Sequence, residues 1–293
     1  MRPPLPPTER RNERSIGLDR LSTPALIELL VSEQRRAVEA VLAAKNEIAA
    51  SVEEICRRLR GGGTLHYVGA GSSGRIAMLD AAEMPPTFGT PPELLRAHLA
   101  GGAQAFARSI EGVEDDAAEG VAAVQAVTSR DAVIGVSASG GAVFVAAAIE
   151  SARNAGAYTV ALTSVAGSPL AQAAEAAIVV DTGPEALTGS TRLKAGTAQK
   201  IALNAISTAV MVRLGKVHEN LMVDLVATNE KLRGRALRLV CELAGVEEPR
   251  ARELLETANG RVKVAIVMER RRVDAVAAER LLETNGGVLR SLL

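Results

Sequence analysis

The stretch Leu65-His66-Tyr67-Val68-Gly69-Ala70-Gly71-Ser72-Ser73-Gly74-Arg75 decides the fold. An apolar run leads into a turn of glycine and serine, and a helical pattern follows at once. Backbone N–H groups at a helix start, together with the helix dipole, attract anions. Ser72 and Ser73 add hydroxyl donors, so the stretch predicts a phosphate-binding turn between a strand and a helix. The alternative is an ordinary strand-to-helix turn with a serine cap.

Apolar runs of the same kind recur along the chain, and Gly/Ser turns follow them. The predicted strands are residues 64–69, 94–100, 132–137, 158–163 and 177–181. Several are continuously apolar, as in strands that are covered on both faces of a parallel sheet. The sequence therefore predicts an α/β fold with a doubly wound, five-stranded parallel sheet. Its ligands are expected at the carboxyl ends of the strands.

Helical patterns lie on both sides of the predicted sheet. Apolar spacings of three and four predict helices at residues 26–41 and 46–60 before it, and a long helix at about 192–214 after it. Beyond that, the sequence predicts three more helices, with turns at 245–249 and 271–274. We expect an N-terminal arm and helix, an α/β domain and a small helical domain, with boundaries at 1–45, 46–235 and 236–293.

Composition narrows the functional classes. The 293 residues contain 34 Lys and Arg against 34 Asp and Glu, which gives no support for a nucleic-acid or membrane partner. No apolar run is long enough for a membrane helix, and the proline-rich N-terminus lacks a secretory signal. Cys56 and Cys241 are expected to be free thiols. We expect a cytoplasmic protein.

Residues 69–74 fit the dinucleotide fingerprint G-x-G-x-x-G, which also requires an acidic residue at the end of the second strand to bind the ribose. That strand ends in Leu99-Ala100-Gly101-Gly102, without an acid. Neither does a Lys-Ser/Thr pair follow, as a nucleotide P-loop requires. The pattern therefore argues against a dinucleotide or nucleotide site.

Two more hydroxyl-rich turns occur, at residues 137–141 after the third strand and at 187–194 before the long helix. Three such turns at one edge of a parallel sheet suit a monophosphate better than a pyrophosphate. The sequence therefore favours a sugar-phosphate site. Its candidate binding residues are Gly71, Ser72, Ser73, Ser137, Ser139, Gly140, Ser190, Thr191 and Lys194.

Five blocks of sequence resemble the N-acetylmuramic acid 6-phosphate etherase family, within the sugar-isomerase (SIS) superfamily. They are GGGTLHYVGAGSSG at 61–74, LDAAEMPPTFG at 79–89, IEGVED at 110–115, TGSTRLKAGTAQK at 188–200 and NLMVDLVATNEKL at 220–232. The resemblance covers nearly the whole chain in unchanged order, and it implies an SIS-like fold.

The resemblance also implies a chemistry. Such an enzyme is a lyase that cleaves the D-lactyl ether of N-acetylmuramic acid 6-phosphate in peptidoglycan recycling, giving N-acetylglucosamine 6-phosphate and D-lactate. It uses no metal or organic cofactor and works as a homodimer. The family's catalytic acids fall on Glu83 and Glu114, with Glu83 as proton donor and Glu114 as base. An elimination followed by hydration needs one carboxylate that takes the C2 proton and one carboxylic acid that protonates the leaving oxygen.

Two other functions stay open from the sequence. Glu185 is a third candidate acid, because its position ahead of the Ser190-Thr191 turn resembles that of the base in aldose–ketose isomerases. A non-catalytic sugar-phosphate sensor is the second alternative, although it has no need of Glu83 or Glu114. The three histidines are scattered in the sequence, and we expect packing or surface roles rather than a metal site.

Two features depart from a simple etherase site. Gly141-Ala142-Val143 stands where most of the family has Arg-Thr-Pro, so a cation and a hydroxyl near the phosphate are absent. An unbroken helix from Ser73 to Glu83 would also separate these residues by about 15 Å. We therefore expect either that Glu83 acts on substrate held by a partner subunit, or that the helix breaks before Pro85.

Overall fold

A computed structural model describes residues 5–225 and 230–293, and it contains a five-stranded parallel sheet in the order β2-β1-β3-β4-β5. The strands are β1 (Leu65–Gly69), β2 (Leu95–Leu99), β3 (Ala132–Val136), β4 (Tyr158–Thr163) and β5 (Ala176–Val179). Each lies within two residues of its predicted position. The predicted α/β fold is confirmed.

The strand order positions the ligand site. β1 pairs with β2 on one side and β3 on the other, and Gly69 lies opposite Val136 in the register of β1 and β3. The chain therefore turns in opposite directions after β1 and after β3, which opens a crevice at the carboxyl ends of these strands. The first two hydroxyl-rich turns leave the sheet at this point.

Two glycines let the chain turn tightly after β1. A Cβ on Gly69 would lie 2.6 Å from the Gly74 Cα, and a Cβ on Gly74 would lie 2.6 Å from the Gly69 carbonyl oxygen. Neither position accommodates a side chain without backbone movement. The strand and the following helix therefore approach each other by direct backbone contact, as the sequence pattern indicates.

Helices precede, separate and follow the strands along the chain. They are α1 (Thr23–Glu33), α2 (Arg35–Ala43), α3 (Lys45–Arg60), α4 (Gly71–Phe88), α5 (Gln104–Ala107), α6 (Ala117–Ala123), α7 (Val143–Asn154), α8 (Pro169–Ala173), α9 (Lys194–Arg213), α10 (Glu230–Ala244), α11 (Glu248–Thr257), α12 (Val262–Arg271) and α13 (Ala275–Thr284). The first predicted helix is divided at Gln34, which keeps right-handed helical backbone angles. No glycine or proline marks that division.

The C-terminal region differs from the prediction of three helices, because the described residues form four, α10 to α13. The additional break is at Asn259-Gly260, where both residues have positive φ angles of 52° and 77°. Asparagine and glycine tolerate this left-handed conformation. A short hairpin, β6 (Val217–His218) with β7 (Leu221–Met222), was not predicted. Residues 226–229 of the NLMVDLVATNEKL block lie outside the described residues.

The chain divides into two compact units. The first comprises Met1–Ala81 and Glu93–Ile206, and the second comprises Ala82–Pro92 and Ser207–Leu293. One apolar cluster of the first packs α7 against the sheet, and the cluster of the second packs α10 to α13 together. The three-part division expected from the sequence stays a prediction. Among the described helices, none has the length and apolarity needed to cross a membrane.

Candidate active site

The turn after β1 presents backbone donors at the start of α4. Gly71 has a φ of +53°, and the Gly74 N–H donates to the Ala70 carbonyl at 3.1 Å. The first N–H groups of a helix have no partner within the helix. Those of Gly71, Ser72 and Ser73 also make no hydrogen bond to another described residue. This turn therefore offers three N–H groups to an anion.

The turn after β3 holds two serine hydroxyls in place. The Gly140 N–H donates to the Ser137 Oγ at 3.1 Å, and the Gly141 N–H donates to the Ser139 Oγ at 3.2 Å. A hydroxyl that accepts a bond still has its own proton to donate. A Cβ on Gly140 would lie 2.1 Å from the Ser168 Oγ, so this tight turn requires glycine. Two oriented hydroxyl donors result.

Both turns line one cavity of about 280 Å³ in the first unit. It brings together most of the predicted phosphate-binding residues and one predicted catalytic acid: Gly71, Ser72, Ser73, Ser137, Ser139, Thr191 and Glu114. Gly140, Ser190, Lys194 and Glu185 are not among its lining residues. The cavity therefore combines hydroxyl and N–H donors with a carboxylate.

A short 3-10 turn, Val113–Asp115, places Glu114 in this cavity. Gly112 precedes it with a φ of +81°, which reverses the chain, and Val113 packs against the apolar cluster around α7. Glu114 is half-buried, whereas its neighbour Asp115 is exposed. The turn thus directs Glu114 into the site, and the exposed Glu111 of the same acidic run also lines the cavity.

Lys194 does not join this cavity, because a different set of partners surrounds its amino group. The side chain is buried, and Nζ donates to Glu33 Oε2 at 2.7 Å and to the Pro184 carbonyl at 2.6 Å. Burial works to raise the pKa of Glu33, but hydrogen bonds from Lys194 and Asn12 and the charges of Lys194 and Arg14 outweigh it and lower that pKa. Lys194 forms a buried ion pair.

Glu185 is fully buried and closes the start of α9. Its Oε2 accepts the Lys194 N–H at 3.1 Å, and its Oε1 accepts the Ala195 N–H at 2.9 Å. Both carboxylate oxygens therefore act as a helix cap. The N-terminus of α9, which follows the third hydroxyl-rich turn, is thus occupied by a carboxylate of the protein itself, in contrast to the N-terminus of α4.

Curated relatives match along almost the entire chain. The N-acetylmuramic acid 6-phosphate etherase of Trichormus variabilis is 50% identical over 285 residues, covering 97% of this chain and 93% of the relative. That of Geobacillus thermodenitrificans is 47% identical over 288 residues, covering 97% and 98%. The chain belongs to the N-acetylmuramic acid 6-phosphate etherase family. The resemblance found in the five sequence blocks is confirmed.

The fold of this etherase family member is that of SIS domains. The model of the glucokinase regulatory protein N-terminal SIS domain matches residues 47–153, and the SIS domain model matches residues 111–209. A phosphoheptose isomerase from Francisella tularensis superposes with a TM-score of 0.51 at 20% identity, covering 66% of this chain and all of that one. This structural likeness shows a shared fold.

The second acid implied by the etherase resemblance, Glu83, is exposed on α4 and belongs to the second unit. α4 runs unbroken from Gly71 to Phe88, with Pro85 and Pro86 in its last turns. The prolines lack N–H groups to bond the carbonyls four residues earlier, yet the helix continues past them. The expected alternative, a helix break before Pro85, is wrong.

Arg75 lines the cavity, and sequence analysis missed it. Its Nε donates to the Ala105 and Phe106 carbonyls, each at 3.0 Å, and its Nη2 donates to the Arg108 carbonyl at 2.8 Å. Arg75 is the one cationic residue among the described residues that line the cavity. Ala142, from the segment Gly141-Ala142-Val143, also lines it. An arginine directly after the glycine turn was the signal available.

Two histidines expected to be isolated are in contact. His66 Nδ1 lies 2.9 Å from His98 Nε2, and His66 Nε2 lies 2.7 Å from the Thr64 hydroxyl, which donates to Asp131. Burial, together with the charge on His98, lowers the pKa of His66 to about 4. No three metal-ligating side chains cluster anywhere in the described part of the chain. This network joins β1 to β2 and is not part of the cavity.

Proposed function

We propose that this protein cleaves the D-lactyl ether of N-acetylmuramic acid 6-phosphate by elimination and hydration, in the cytoplasm and as part of peptidoglycan recycling. One observation supports the proposal beyond family membership. Glu114 lies on the same cavity as two turns whose free N–H and O–H groups suit a phosphate. A carboxylate and an anion-binding site are thereby held together, as a base acting on a phosphorylated sugar requires.

The phosphate is bound by the turns after β1 and β3. The N–H groups at the start of α4 and the hydroxyl protons of Ser137 and Ser139 are the donors. Thr191 adds a third hydroxyl from the loop before α9. Lys194 is not included, because its amino group is bonded to Glu33 and to a backbone carbonyl.

The reaction proceeds on the open-chain aldehyde, which acidifies the C2 proton. The Glu114 carboxylate takes this proton. The electron pair of the broken C2–H bond forms the C2–C3 double bond while the C3–O bond breaks. Glu83 gives a proton to the departing lactyl oxygen. Water then adds at C3, giving its proton to the Glu83 carboxylate, and Glu114 returns a proton to C2. The products are N-acetylglucosamine 6-phosphate and D-lactate.

The protein acts as a homodimer in this proposal. Ile27, Val31, Val38 and Leu42 are 53%, 65%, 48% and 62% exposed, although all are large and apolar. Within each helix the two residues are four apart and lie about 40° from one another around the axis, so α1 and α2 each carry part of an exposed apolar stripe. Glu33 is the one buried residue of α1, so its apolar side chains are not fully covered within this chain. A second copy of this helix pair is the partner that buries the stripe.

The proposed dimer shares its active sites. The ten residues of α4 from Ser73 to Glu83 rise about 15 Å, whereas only a few bonds separate the sugar phosphate from C3. Glu83 therefore acts on the substrate whose phosphate is bound by the partner subunit.

The reaction is tested by incubating the protein with N-acetylmuramic acid 6-phosphate and measuring D-lactate. We expect release by the wild type and a loss of roughly 10²–10⁴-fold in Glu114→Gln, the usual contribution of a general base. Asp115→Asn is the matched control, because Asp115 is exposed in the same turn, and it retains activity. No lactate from folded wild-type protein would overturn the proposal.

The shared site is tested by mixing two inactive variants, Glu83→Gln and Ser72→Asp. If each site uses both subunits, a mixed dimer has one intact site. A statistical mixture then recovers about a quarter of wild-type activity. No recovery in verified mixed dimers means that Glu83 acts within its own subunit.

A further inference from the structure

The start of α9 has no N–H group left for a ligand. Glu185 accepts the N–H groups of Lys194 and Ala195. The Gly196 N–H donates to the Thr191 carbonyl at 2.9 Å, and the N–H of Leu193, the residue before the helix, donates to the Ser190 carbonyl at 3.1 Å. These are the four N–H groups that a helix leaves without helical partners. The start of α9 can therefore bind a phosphate only through side chains.

The same loop is fixed at both ends by buried groups. Glu185 at its start bonds to the backbone at its end, as described. The Lys194 ammonium donates to Glu33 on α1 and to the Pro184 carbonyl beside Glu185. Asn12 of the N-terminal arm donates to the same Glu33 oxygen at 2.8 Å. The two ends of residues 184–194 are thus held together and tied to α1 and the arm.

Thr191 is the part of this loop that reaches the cavity. Its carbonyl is bonded to the first turn of α9, so its position depends on where that turn begins. A buried carboxylate that receives two backbone N–H groups fixes that point strongly, because hydrogen bonds to charged groups are stronger than neutral ones. The position of the Thr191 hydroxyl therefore follows from Glu185.

We propose that Glu185 is a positioning residue, which holds Thr191 in place for the substrate and does not itself touch it. This inference rests on the proposed function for the identity of the substrate. Both Glu185 oxygens are occupied, the side chain has no exposed surface, and it does not line the cavity. It is therefore not the base of an isomerase, the alternative that its sequence position suggested.

Glu185→Gln distinguishes a positioning residue from a catalytic base, because a glutamine offers one acceptor oxygen where two N–H groups need partners. We expect KM for N-acetylmuramic acid 6-phosphate to rise about tenfold, the loss of one Thr191 hydrogen bond, while kcat changes by less than about threefold. Glu185→Asp keeps both acceptors and restores part of the affinity. Glu175→Gln, at an exposed position, is the control and leaves both constants unchanged. If kcat instead fell by about three orders of magnitude at unchanged KM, the proposal would be overturned, because such a fall is the signature of a base.

A double-mutant comparison tests the link to Thr191. Thr191→Val removes the hydroxyl and leaves the cap intact, so it weakens binding about as much as Glu185→Gln does. The double variant weakens binding no further. Additive losses would mean that Glu185 acts independently of Thr191, contrary to the proposal. If Glu185→Gln does not fold, the same comparison is made with Glu185→Asp.

Two readouts do not depend on etherase activity. Amide hydrogen exchange at Lys194 and Ala195 is faster in Glu185→Gln than in the wild type, while exchange in β1 is unchanged. Calorimetric titration with N-acetylglucosamine 6-phosphate gives the same tenfold loss of affinity. If the wild type releases no lactate but these two changes occur, the reaction assignment fails and the positioning role stands. Unchanged exchange and affinity overturn the positioning role alone.

Discussion

Removing the Lys194 ammonium should destabilise the first unit strongly. Lys194 and Glu33 are each 2% exposed, and their Nζ and Oε2 atoms are 2.7 Å apart. Lys194→Met leaves the Glu33 carboxylate buried without its nearest cation, a change that typically costs about 3–5 kcal/mol. Asn12 still donates to Glu33, and Arg14 lies 3.2 Å from its other oxygen. We therefore expect the lower end of that range, about 3 kcal/mol.

The pH dependence of the free energy of unfolding shows whether the loss of stability comes from the buried charge of Glu33. In the wild type, the pKa of Glu33 is lowered, so its contribution to stability is present above the unfolded pKa and is lost as pH falls through the folded one. In Lys194→Met the hydrogen bond that most strongly opposes the effect of burial is removed, so burial raises the pKa of Glu33. Protonation then relieves the penalty, so the stability gap between the two proteins narrows as pH falls from about 7 towards about 4.

Urea unfolding followed by tyrosine fluorescence measures this unit alone. The chain has no tryptophan, and its two tyrosines, Tyr67 and Tyr158, lie in β1 and β4. Lys200→Met, at an exposed position on α9, is the control, with a change below about 0.5 kcal/mol. Glu33→Gln/Lys194→Met should cost less than the sum of the single changes. A gap that does not vary with pH, or strictly additive costs, would refute the reasoning.

Three further predictions concern affinity, acid stability and assembly. Gly141→Arg adds a cation beside the phosphate turn, and its Cβ would meet only the Ser139 Oγ at 3.4 Å. We expect the Kd for N-acetylglucosamine 6-phosphate to fall at least about tenfold in calorimetry, and no change in Gly141→Gln. His66 has a pKa of about 4 in the fold against about 6.5 unfolded, so wild-type stability falls by roughly 2–3 kcal/mol between pH 6.5 and 4. In urea titrations His66→Asn should show a smaller fall, and an equal slope would contradict the role of His66. Val31→Glu and Val38→Lys each give monomers in sedimentation equilibrium, whereas the double variant dimerises again if the helix pairs are antiparallel and residue 31 faces residue 38 of the partner. Val121→Glu, at an exposed position on α6, is the control. Dimers of both single variants would exclude this interface.

The sheet could be predicted closely because its signals are local. Each strand is a short apolar run followed by a Gly/Ser turn, and the glycine pair at 69 and 74 has a direct steric reason. The division at Gln34 could not be predicted, because its backbone stays near helical angles and no residue type marks it. The Asn259-Gly260 break had a signal that was overlooked. The division at Gln34 is therefore a limit of local sequence information, whereas the break at Asn259-Gly260 is not.

The site could be predicted where topology alone brings residues together. The turns after β1 and β3 share an edge because adjacent parallel strands end there, so their serines meet in one cavity. Lys194 was predicted to bind phosphate from its place in a polar turn. Its partner Glu33 is 161 residues away in sequence, and no local pattern links them. A long side chain is positioned by its partner rather than by its neighbours in the chain.

The contrast between α4 and α9 explains why three similar turns have different tasks. Each turn ends at a helix N-terminus, where unpaired N–H groups favour an anion. At α4 no side chain of the described residues fills that place, so it stays open to a phosphate. At α9 Glu185 fills it, which excludes a phosphate and fixes the backbone instead. An acid a few residues ahead of a hydroxyl-rich turn can thus mark a turn that is held rigid to present a side chain. For such a turn, mutation of the acid should change substrate affinity, whereas mutation of Glu114 should change the rate of the chemical step.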